Sequence, residues 1–360
     1  MSLSKKIRFK HIKRNLIFRF DAGTSRGVLK NKVVYWIQAF EEKKSEIIGW
    51  GEAAPLVKLS VDDRSDFEDV LEDYFKKLES ISWDMNEEAI LKQVSDLIPF
   101  ELPSIRFGVE TALLDLKNGG KKKILENVFF DESKPIPING LIWMGDEKFM
   151  KRQIDEKLKE GFTCIKMKIG AIDFQKELEL LQYIRSIYSS EEITLRVDAN
   201  GAFSPKEALG KLELLQQYSL HSIEQPIAKG QIAEMKSLCS KTNLPIALDE
   251  ELIGVLKKGD LLDQIRPQFI ILKPSLLGGI KETREWISEA VKREIGWWMT
   301  SALESNIGLN AICQLTSQYN PKLPQGLGTG KLYHNNLNSP LTVLNGQIQY
   351  DSKVIWEYPV

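Results

Sequence analysis

Long apolar runs and a strong charge of one sign are both missing from this chain of 360 residues. No stretch approaches the roughly 20 consecutive apolar residues of a membrane-spanning helix, and the opening MSLSKKIRFK has no apolar signal core. The formal net charge of −1 offers no basic footprint for nucleic acid. These absences predict a cytoplasmic protein that acts on small molecules, not on membranes or nucleic acids.

Cysteine is also scarce. The chain has three widely spaced cysteines and no CxxC motif: Cys164, Cys239 and Cys313. This odd, widely spaced set predicts reduced thiols in a cytosolic protein.

The first 130 residues are predicted to form a small α+β unit. Three strand-like stretches come first, IRFKHIKRNLIFRF, KVVYWIQAFEE and IIGWGEAAP. Three helical stretches follow, SVDDRSDFEDVLEDYFKKLES, NEEAILKQVSDLI and SIRFGVETALLDLKNG. Strands and then helices, without alternation, indicate an α+β arrangement. Between the first two strands, DAGTSRGVLKN is predicted to be a loop.

From residue 135 to about residue 330, strands and helices alternate. The predicted strands are PIPINGLIW, TCIKMKI, EITLRVDAN, LHSIEQP, LPIALDE, QFIILKP, GWWMTSA and GLGTG. Such alternation implies parallel strands joined by right-handed crossovers. We therefore predict an α/β fold, a modified TIM barrel of the (β/α)7β type over 135–330, with an open doubly wound sheet as the alternative. The tail 331–360 loses the alternation and is predicted to complete the N-terminal unit 1–130.

Two lysines share one face of the predicted strand in GFTCIKMKIG. Successive strand side chains alternate between faces, so Lys166 and Lys168 point one way and the apolar residues between them the other. Charged side chains often protect an exposed sheet edge. A closed barrel has no edges, however, and its inward face must be core or cavity. The barrel prediction therefore places both ammonium groups in a polar cavity.

Acidic residues recur at the ends of three successive predicted strands. Asp198, Glu224 and Asp249 are each about one βα unit apart, and Lys273 ends the next strand. Each acid alone is typical of a helix N-cap or a surface ion pair. In a barrel, however, the carboxyl ends of the strands form the active-site face, where three carboxylates would converge and repel. They would need a cation, and an all-oxygen ligand set favours Mg²⁺.

The motifs KMK, VDAN, IEQP, LDE and ILKP, in this order, resemble the enolase superfamily, and its muconate-cycloisomerase-like subgroup in particular. GWGEAAP is similar to a strand of that superfamily's N-terminal capping domain. The resemblance implies that Asp198, Glu224 and Asp249 bind Mg²⁺, with Mn²⁺ as a substitute. It also implies that Lys168 is the catalytic base and that Lys273 faces it across the barrel.

The chemistry that the resemblance implies is removal of a proton α to a carboxylate. Bound Mg²⁺ would stabilise the resulting enediolate as a Lewis acid. Lys166 would tune the charge of Lys168 electrostatically. Lys273 would be a second acid/base, as in the racemases of the subgroup, or an electrostatic stabiliser, as in its dehydratase.

The residues after the seventh and eighth strands should select the substrate. SALESNIG and GLGTGKLYHNN resemble the dehydratase more than its relatives, and no Asp-x-Asp pair, a feature of dipeptide epimerases, follows the seventh strand. Of the three histidines, none ends the sixth strand, where the mandelate-racemase-like subgroup carries its base. An N-acylamino-acid racemase or dipeptide epimerase is the alternative enzyme, and a catalytically silent Mg²⁺-binding barrel is the non-enzymatic one.

A set of predicted substrate contacts follows from the same comparison. The loop DAGTSRGVLKN, with Gly23, Ser25 and Arg26, is expected to close over the substrate as a lid. The predicted ligand is a small carboxylate, and a homo-oligomer is compatible with the sequence. The predicted substrate-binding residues are Asn200, Ser301, Glu304, Ser305, Arg26 and Gly328.

Overall fold

A three-stranded antiparallel sheet opens the chain. The structure, a computed structural model, describes residues 5–24 and 27–358, with the backbone alone at residue 24. The sheet has the order β1 (Ile7–Thr24), β2 (Gly27–Glu41) and β3 (Lys44–Ala53), and three helices follow, α1 (Phe67–Ser80), α2 (Glu87–Leu97) and α3 (Pro103–Lys117). This succession of strands and helices matches the predicted α+β unit.

Two glycines let β3 and α3 lie in direct contact. A Cβ atom on Gly49 would lie 2.1 Å from the carbonyl oxygen of Ala112, and one on Gly51 would lie 2.0 Å from that of Gly108. Both positions therefore exclude every larger residue. This close packing fixes β3, which carries Glu52 toward the barrel.

The structure corrects the prediction that residues 21–31 form a loop. β1 continues to Thr24 and β2 starts at Gly27, so most of the predicted loop DAGTSRGVLKN belongs to the two strands of a hairpin. A register shift between Ile17 and Ala22 lets the pairing resume after an irregularity, which the loop-like composition concealed. Ser25 and Arg26 lie outside the described residues.

The rest of the chain builds the barrel and its tail. Helix α4 (Val128–Asp131) and strand β4 (Ile136–Pro137) lead into it. The alternating elements are β5 (Gly140–Ile142), α5 (Glu147–Lys159), β6 (Cys164–Lys168), α6 (Phe174–Ile187), β7 (Thr194–Asp198), α7 (Pro205–Leu215), β8 (Ser222–Glu224), α8 (Ile232–Lys241), β9 (Ile246–Leu248), α9 (Lys258–Ile265), β10 (Phe269–Leu272), α10 (Pro274–Leu277), α11 (Gly279–Val291), β11 (Gly296–Met299) and α12 (Asn306–Ser317). Strands β12 (Leu341–Leu344) and β13 (Gln347–Tyr350) end the fold.

The seven parallel strands β5 to β11 stand in sequence order, and residues 325 and 326 close the ring between its two ends. The amide of Gln325 donates to the carbonyl of Pro137 at 2.8 Å. The amide of Gly326 donates to the carbonyl of Met299 at 2.8 Å, and Ser301 donates back to Gly326 at 3.0 Å. The predicted barrel is thus confirmed. In place of an eighth strand over GLGTG, two bridging residues close the ring: Gly326, the first residue of that motif, and Gln325, which precedes it.

The C-terminal tail contacts both parts of the molecule. β12 pairs with β13, and β13 pairs with β4, so the predicted single strand PIPINGLIW is in fact two strands that serve different sheets. Farther along, Tyr333 and Trp356 are buried in one apolar cluster with Phe18 and Trp36 of the first sheet. The division into a unit of 1–130 with 331–360 and a barrel of 135–330 remains a prediction.

The apolar side chains supply a core that runs from the first sheet through the barrel. The three cysteines are buried and free, which agrees with the expectation of reduced thiols. Among the described residues, no helix combines the length and the apolar character that crossing a bilayer requires.

His221, just before β8, should make stability depend on pH. Burial and the neighbouring Arg196 guanidinium lower its pKa from 6.5 to about 4. Between these two values the unfolded chain holds the proton more tightly, so the folded state is favoured above about pH 6.5 and loses stability as the pH falls toward 4. The His221 ring lies 4.9 Å from that of Phe269, so His221→Phe keeps an aromatic side chain at this position.

We therefore expect His221→Phe to gain stability relative to the wild type on acidification. The measurement is the free energy of unfolding in urea for both proteins at about pH 7.5 and about pH 5. A difference between the two proteins that is the same at both pH values would contradict the assignment.

Candidate active site

The predicted lysines and carboxylates gather at one end of the barrel. Lys168, Asp198 and Glu224 are cross-strand neighbours in register at the carboxyl ends of β6, β7 and β8. Asp249 follows β9 and Lys273 follows β10. Parallel strands in register carry these side chains to the same face of the ring. Their exposed fractions lie between 0% and 9%, so the charges are largely withdrawn from water.

Each ammonium group lies against a carboxylate. Lys166 Nζ lies 2.9 Å from Asp198 Oδ2 and also donates to Glu224. Lys168 Nζ lies 3.0 Å from the same Asp198 oxygen. Lys273 Nζ donates to Asp249. The lysines therefore neutralise the three acids that the sequence predicts to bind a cation.

The pKa values follow from this pairing. Burial alone would lower the pKa of Lys166, but the carboxylates of Asp198 and Glu224 outweigh it and raise the value. Burial would likewise lower the pKa of Lys273, and Asp249 raises it. Burial opposes ionisation of Asp198 as well, yet the two nearby lysines hold its pKa below the usual range. Lys166, Lys273 and Asp198 are therefore charged in this arrangement.

Glu224 differs from the other two acids. Burial, followed by the charge of Asp198, raises its pKa well above the ordinary value. Its Oε1 atom is buried and has no hydrogen-bond partner, although Oε2 accepts from Lys166. This oxygen accepts no hydrogen bond from a nitrogen or hydroxyl donor, so it is available to a cation or to a proton.

The three acids fit a hard divalent cation by chemistry. They offer only oxygen atoms as metal ligands, and these lie at adjacent strand ends. One of these oxygens has no hydrogen-bond partner. Among the described residues, no three His, Cys, Asp or Glu side chains are already arranged to hold a metal ion. The lysines contact one oxygen of each acid, Asp198 Oδ2, Glu224 Oε2 and Asp249 Oδ2, so a cation would share the three carboxylates with them.

Further polar residues behind the lysines and carboxylates hold them in place. Asn200 Oδ1 accepts from Lys168 at 2.7 Å, and its Nδ2 donates to Glu250 at 3.0 Å. Gln225 Oε1 accepts from the amide of Asp249 at 3.1 Å. Asn200 and Gln225 have φ of 44° and 37°, in the left-handed region, and such backbone strain is typical of functional sites.

A cavity of about 780 Å³ opens above these groups. Lys166, Lys168 and Lys273 lie at its wall together with Trp143, whose ring centroid is 6.0 Å from Lys168 Nζ. The first sheet and the segment after it contribute apolar residues to the mouth: Phe20, Val28, Leu29, Leu56 and Val57. The cavity is thus formed jointly by the barrel and the N-terminal unit.

The predicted substrate contacts divide into three groups. Asn200, Ser301 and Gly328 line the cavity. Glu304 and Ser305 are fully buried and bond to other protein groups, so the structure places them behind the cavity wall and not on it. Arg26 lies outside the described residues.

Several residues at the site were not singled out from the sequence. Gln225, inside the motif IEQP, could have been noticed because it directly follows Glu224. Trp143 directly follows β5, and its position at a strand end was the available signal. Lys58 and Lys331 lie at the cavity mouth as exposed side chains, and their distance in sequence gave no indication of this.

This fold and this ring of strand-end charges define a protein class. Residues 149–353 match the family described as Enolase C-terminal domain-like, and the chain belongs to that family.

Individual relatives are similar over most of the chain. It is 45% identical to the o-succinylbenzoate synthase of Desulfotalea psychrophila (strain LSv54 / DSM 12343), over 92% of this chain and 96% of the relative. The crystal structure of MenC from Desulfotalea psychrophila LSv54 superposes with a TM-score of 0.85 at 40% identity, covering 96% of this chain and 99% of that one. A dipeptide epimerase from Enterococcus faecalis V583, complexed with Mg and L-Leu-L-Tyr, shares the fold, with a TM-score of 0.80 at 19% identity over 96% of each chain.

Proposed function

We propose that this protein is an o-succinylbenzoate synthase, a lyase of menaquinone biosynthesis that acts in the cytoplasm. The observation that carries the proposal is the similarity to one such synthase over nearly the full length of both proteins. The arrangement of Lys168 and Lys273 on one cavity supports it, because the reaction needs a base beside the substrate and a cation to balance developing charge.

The substrate is 2-succinyl-6-hydroxy-2,4-cyclohexadiene-1-carboxylate, which loses water to become aromatic. Asp198, Glu224 and Asp249 would hold Mg²⁺, or Mn²⁺ in its place. When bound, the metal would supply Lewis-acid stabilisation of the charge that proton removal places on the ring carboxylate.

Lys168 carries out both proton transfers in this proposal. Its neutral amine removes the proton from the ring carbon that bears the carboxylate. It then returns that proton to the departing hydroxyl on the neighbouring carbon, so that the bond to oxygen breaks and water leaves. Because one group serves both steps, the proton and the hydroxyl leave from the same face. Asn200, which accepts from Lys168 at 2.7 Å, holds the amine in place.

Lys273 and Lys166 stay charged. Lys273, at the same cavity, stabilises the negative charge that develops during proton removal and contacts the ring as a cation. Lys166 bridges Asp198 and Glu224 and tunes the field at Lys168.

The cavity mouth suits the second carboxylate of the substrate. Lys58 and Lys331 bring positive charge there, and Ser301 and Gly328 offer polar contacts along the wall. We also propose that the unit 1–130 with tail 331–360 caps the barrel, and that the β1–β2 hairpin, which brings Phe20, Val28 and Leu29 to the cavity, covers its mouth.

The assay that tests the proposal compares two substrates in the presence of Mg²⁺. We expect kcat/KM for the cyclohexadiene to exceed that for N-succinyl amino acids by at least about 100-fold, a preference of the size that a shaped polar site achieves. A reversed preference would identify an N-acylamino-acid racemase, which could use the same lysines with Lys273 as the second acid/base. A protein that neither dehydrates the cyclohexadiene nor exchanges the α-hydrogen of amino-acid substrates in D₂O would be a silent Mg²⁺-binding barrel.

A further inference from the structure

The turn between β11 and α12 is strained and forms part of the cavity wall. Ser301, Ala302 and Leu303 all line the cavity. Leu303 has φ of 68°, in the left-handed region that a branched side chain rarely adopts. Such a conformation persists only when the surroundings hold it.

Part of that support comes from within the barrel. Ser301 Oγ donates to Glu304 at 2.5 Å and accepts from the amides of Leu303, at 3.0 Å, and Glu304. Ser275, after β10, also donates to Glu304. These bonds fix the base of the turn, but they leave the carbonyl groups of Ala302 and Leu303 to other partners.

Those two carbonyl groups are held from outside the barrel. Lys32 Nζ, on β2 of the first sheet, donates to the carbonyl of Ala302 at 2.6 Å. Tyr333, in the C-terminal tail, donates its hydroxyl to the carbonyl of Leu303 at 2.7 Å. Neither side chain lines the cavity, so each can act on the substrate only through the turn.

The buried ammonium group of Lys32 makes one hydrogen bond at a large desolvation cost. Its side chain is 3% exposed, and its ammonium group donates to a neutral carbonyl. Burial lowers its pKa, while the charges of Glu304 and Glu52 oppose that effect. Removing this positive charge would leave the two buried carboxylates without it, so its loss should cost stability. The hydrogen bond itself, however, is made to the turn and not to either carboxylate.

We propose that Lys32 is a positioning residue for the reaction: from the first sheet it holds the Ala302 carbonyl and, together with Tyr333, fixes the shape of the turn that walls the substrate cavity. The kinetic part of this inference rests on the proposed function. With Lys32 in this role, the substrate site takes its correct shape only when the N-terminal unit and the tail are docked on the barrel.

Lys32→Met tests the role, because methionine keeps the length of the side chain and removes the donor. Lys44→Met, at an exposed position on β3 of the same sheet, is the matched control. For Lys32→Met we expect KM for the cyclohexadiene to rise on the order of tenfold with a smaller change in kcat, since a misplaced wall impairs substrate positioning. We expect the thermal midpoint to fall as well, because Glu304 and Glu52 lose a compensating charge, so the KM-against-kcat split is the readout that separates positioning from a merely structural role.

Amide hydrogen exchange gives a readout that does not depend on activity. In the Lys32→Met protein, exchange in the peptide that contains residues 301–305 should accelerate at least about tenfold, with peptides of the barrel strands unchanged. Lys44→Met should match the wild type. Tyr333→Phe removes a single hydroxyl and should accelerate exchange in the same peptide, so a poorly folded Lys32→Met protein would not end the test.

The outcomes separate this inference from the proposed function. Wild-type exchange and KM in both Lys32→Met and Tyr333→Phe would overturn the positioning role and leave the synthase proposal standing. A wild-type protein without synthase activity would refute the proposed function, and the exchange comparison would still decide whether Lys32 holds the turn.

Discussion

Lys168→Ala is expected to lower kcat for the dehydration by at least about 1,000-fold. Loss of one general acid or base typically costs 100- to 10,000-fold, and Lys168 is assigned both transfers. Lys166 cannot replace it, because its ammonium group is engaged by Asp198 and Glu224 and their charges raise its pKa. The measurement is the initial rate at saturating Mg²⁺ and substrate, with Lys176→Ala, an exposed lysine on α6, as the matched control.

The loss should be chemical and not structural. Asp198 keeps Lys166 as an ion partner at 2.9 Å, so Lys168→Ala leaves no buried carboxylate without a cation. The thermal midpoint should therefore stay close to that of the wild type. Wild-type turnover in Lys168→Ala would exclude Lys168 from the mechanism. If Lys168→Ala is inactive because it unfolds, Lys168→Met, which retains more of the side chain's packing, decides the question.

Asp249→Asn is expected to weaken Mg²⁺ binding at least about 100-fold and to reduce turnover accordingly. Mutating groups that merely orient metal ligands costs 10- to 100-fold in affinity, and loss of a charged ligand should cost at least the upper end of that range. Asp249 is buried at the strand end next to Glu224, and its backbone amide is fixed by Gln225. Titration calorimetry with Mg²⁺ measures the affinity directly.

The matched control is Asp260→Asn, an exposed aspartate at the start of α9. Its Mg²⁺ affinity should equal that of the wild type. Equal affinity in Asp249→Asn as well would exclude Asp249 as a ligand. The metal-ligand prediction would then have to be restricted to Asp198 and Glu224.

The barrel and the charged ring were predictable because both are periodic in the sequence. Alternating strands and helices specify parallel pairing, and residues at equivalent strand ends must then share one face. Lys168, Asp198 and Glu224 follow that rule and lie in register. A pattern that repeats once per βα unit therefore contains the geometry of the site before any coordinates are known.

What could not be predicted depends on contacts between distant segments. Glu304 and Ser305 have the polarity of substrate contacts, but the three-dimensional packing turns them toward Ser275 and Glu52. Local sequence contains no record of those partners. The strained turn is held by Lys32, from one end of the chain, and by Tyr333, from the other. These two contacts could not be predicted for the same reason.

The predicted hairpin loop failed for a different reason. Gly23 and its neighbours have the composition of a turn, yet they continue β1 past an irregularity at residues 17–22. Composition indicates where a chain can bend, and strand pairing decides whether it does.

The most direct measurement is a crystal structure of the protein with Mn²⁺ and o-succinylbenzoate, with the metal located by its anomalous scattering. We expect one anomalous peak among the carboxylates of Asp198, Glu224 and Asp249, with the product carboxylate beside it and the product ring between Lys168 and Lys273. A peak elsewhere, or a product bound away from these lysines, would refute the proposed metal site and the roles of both lysines.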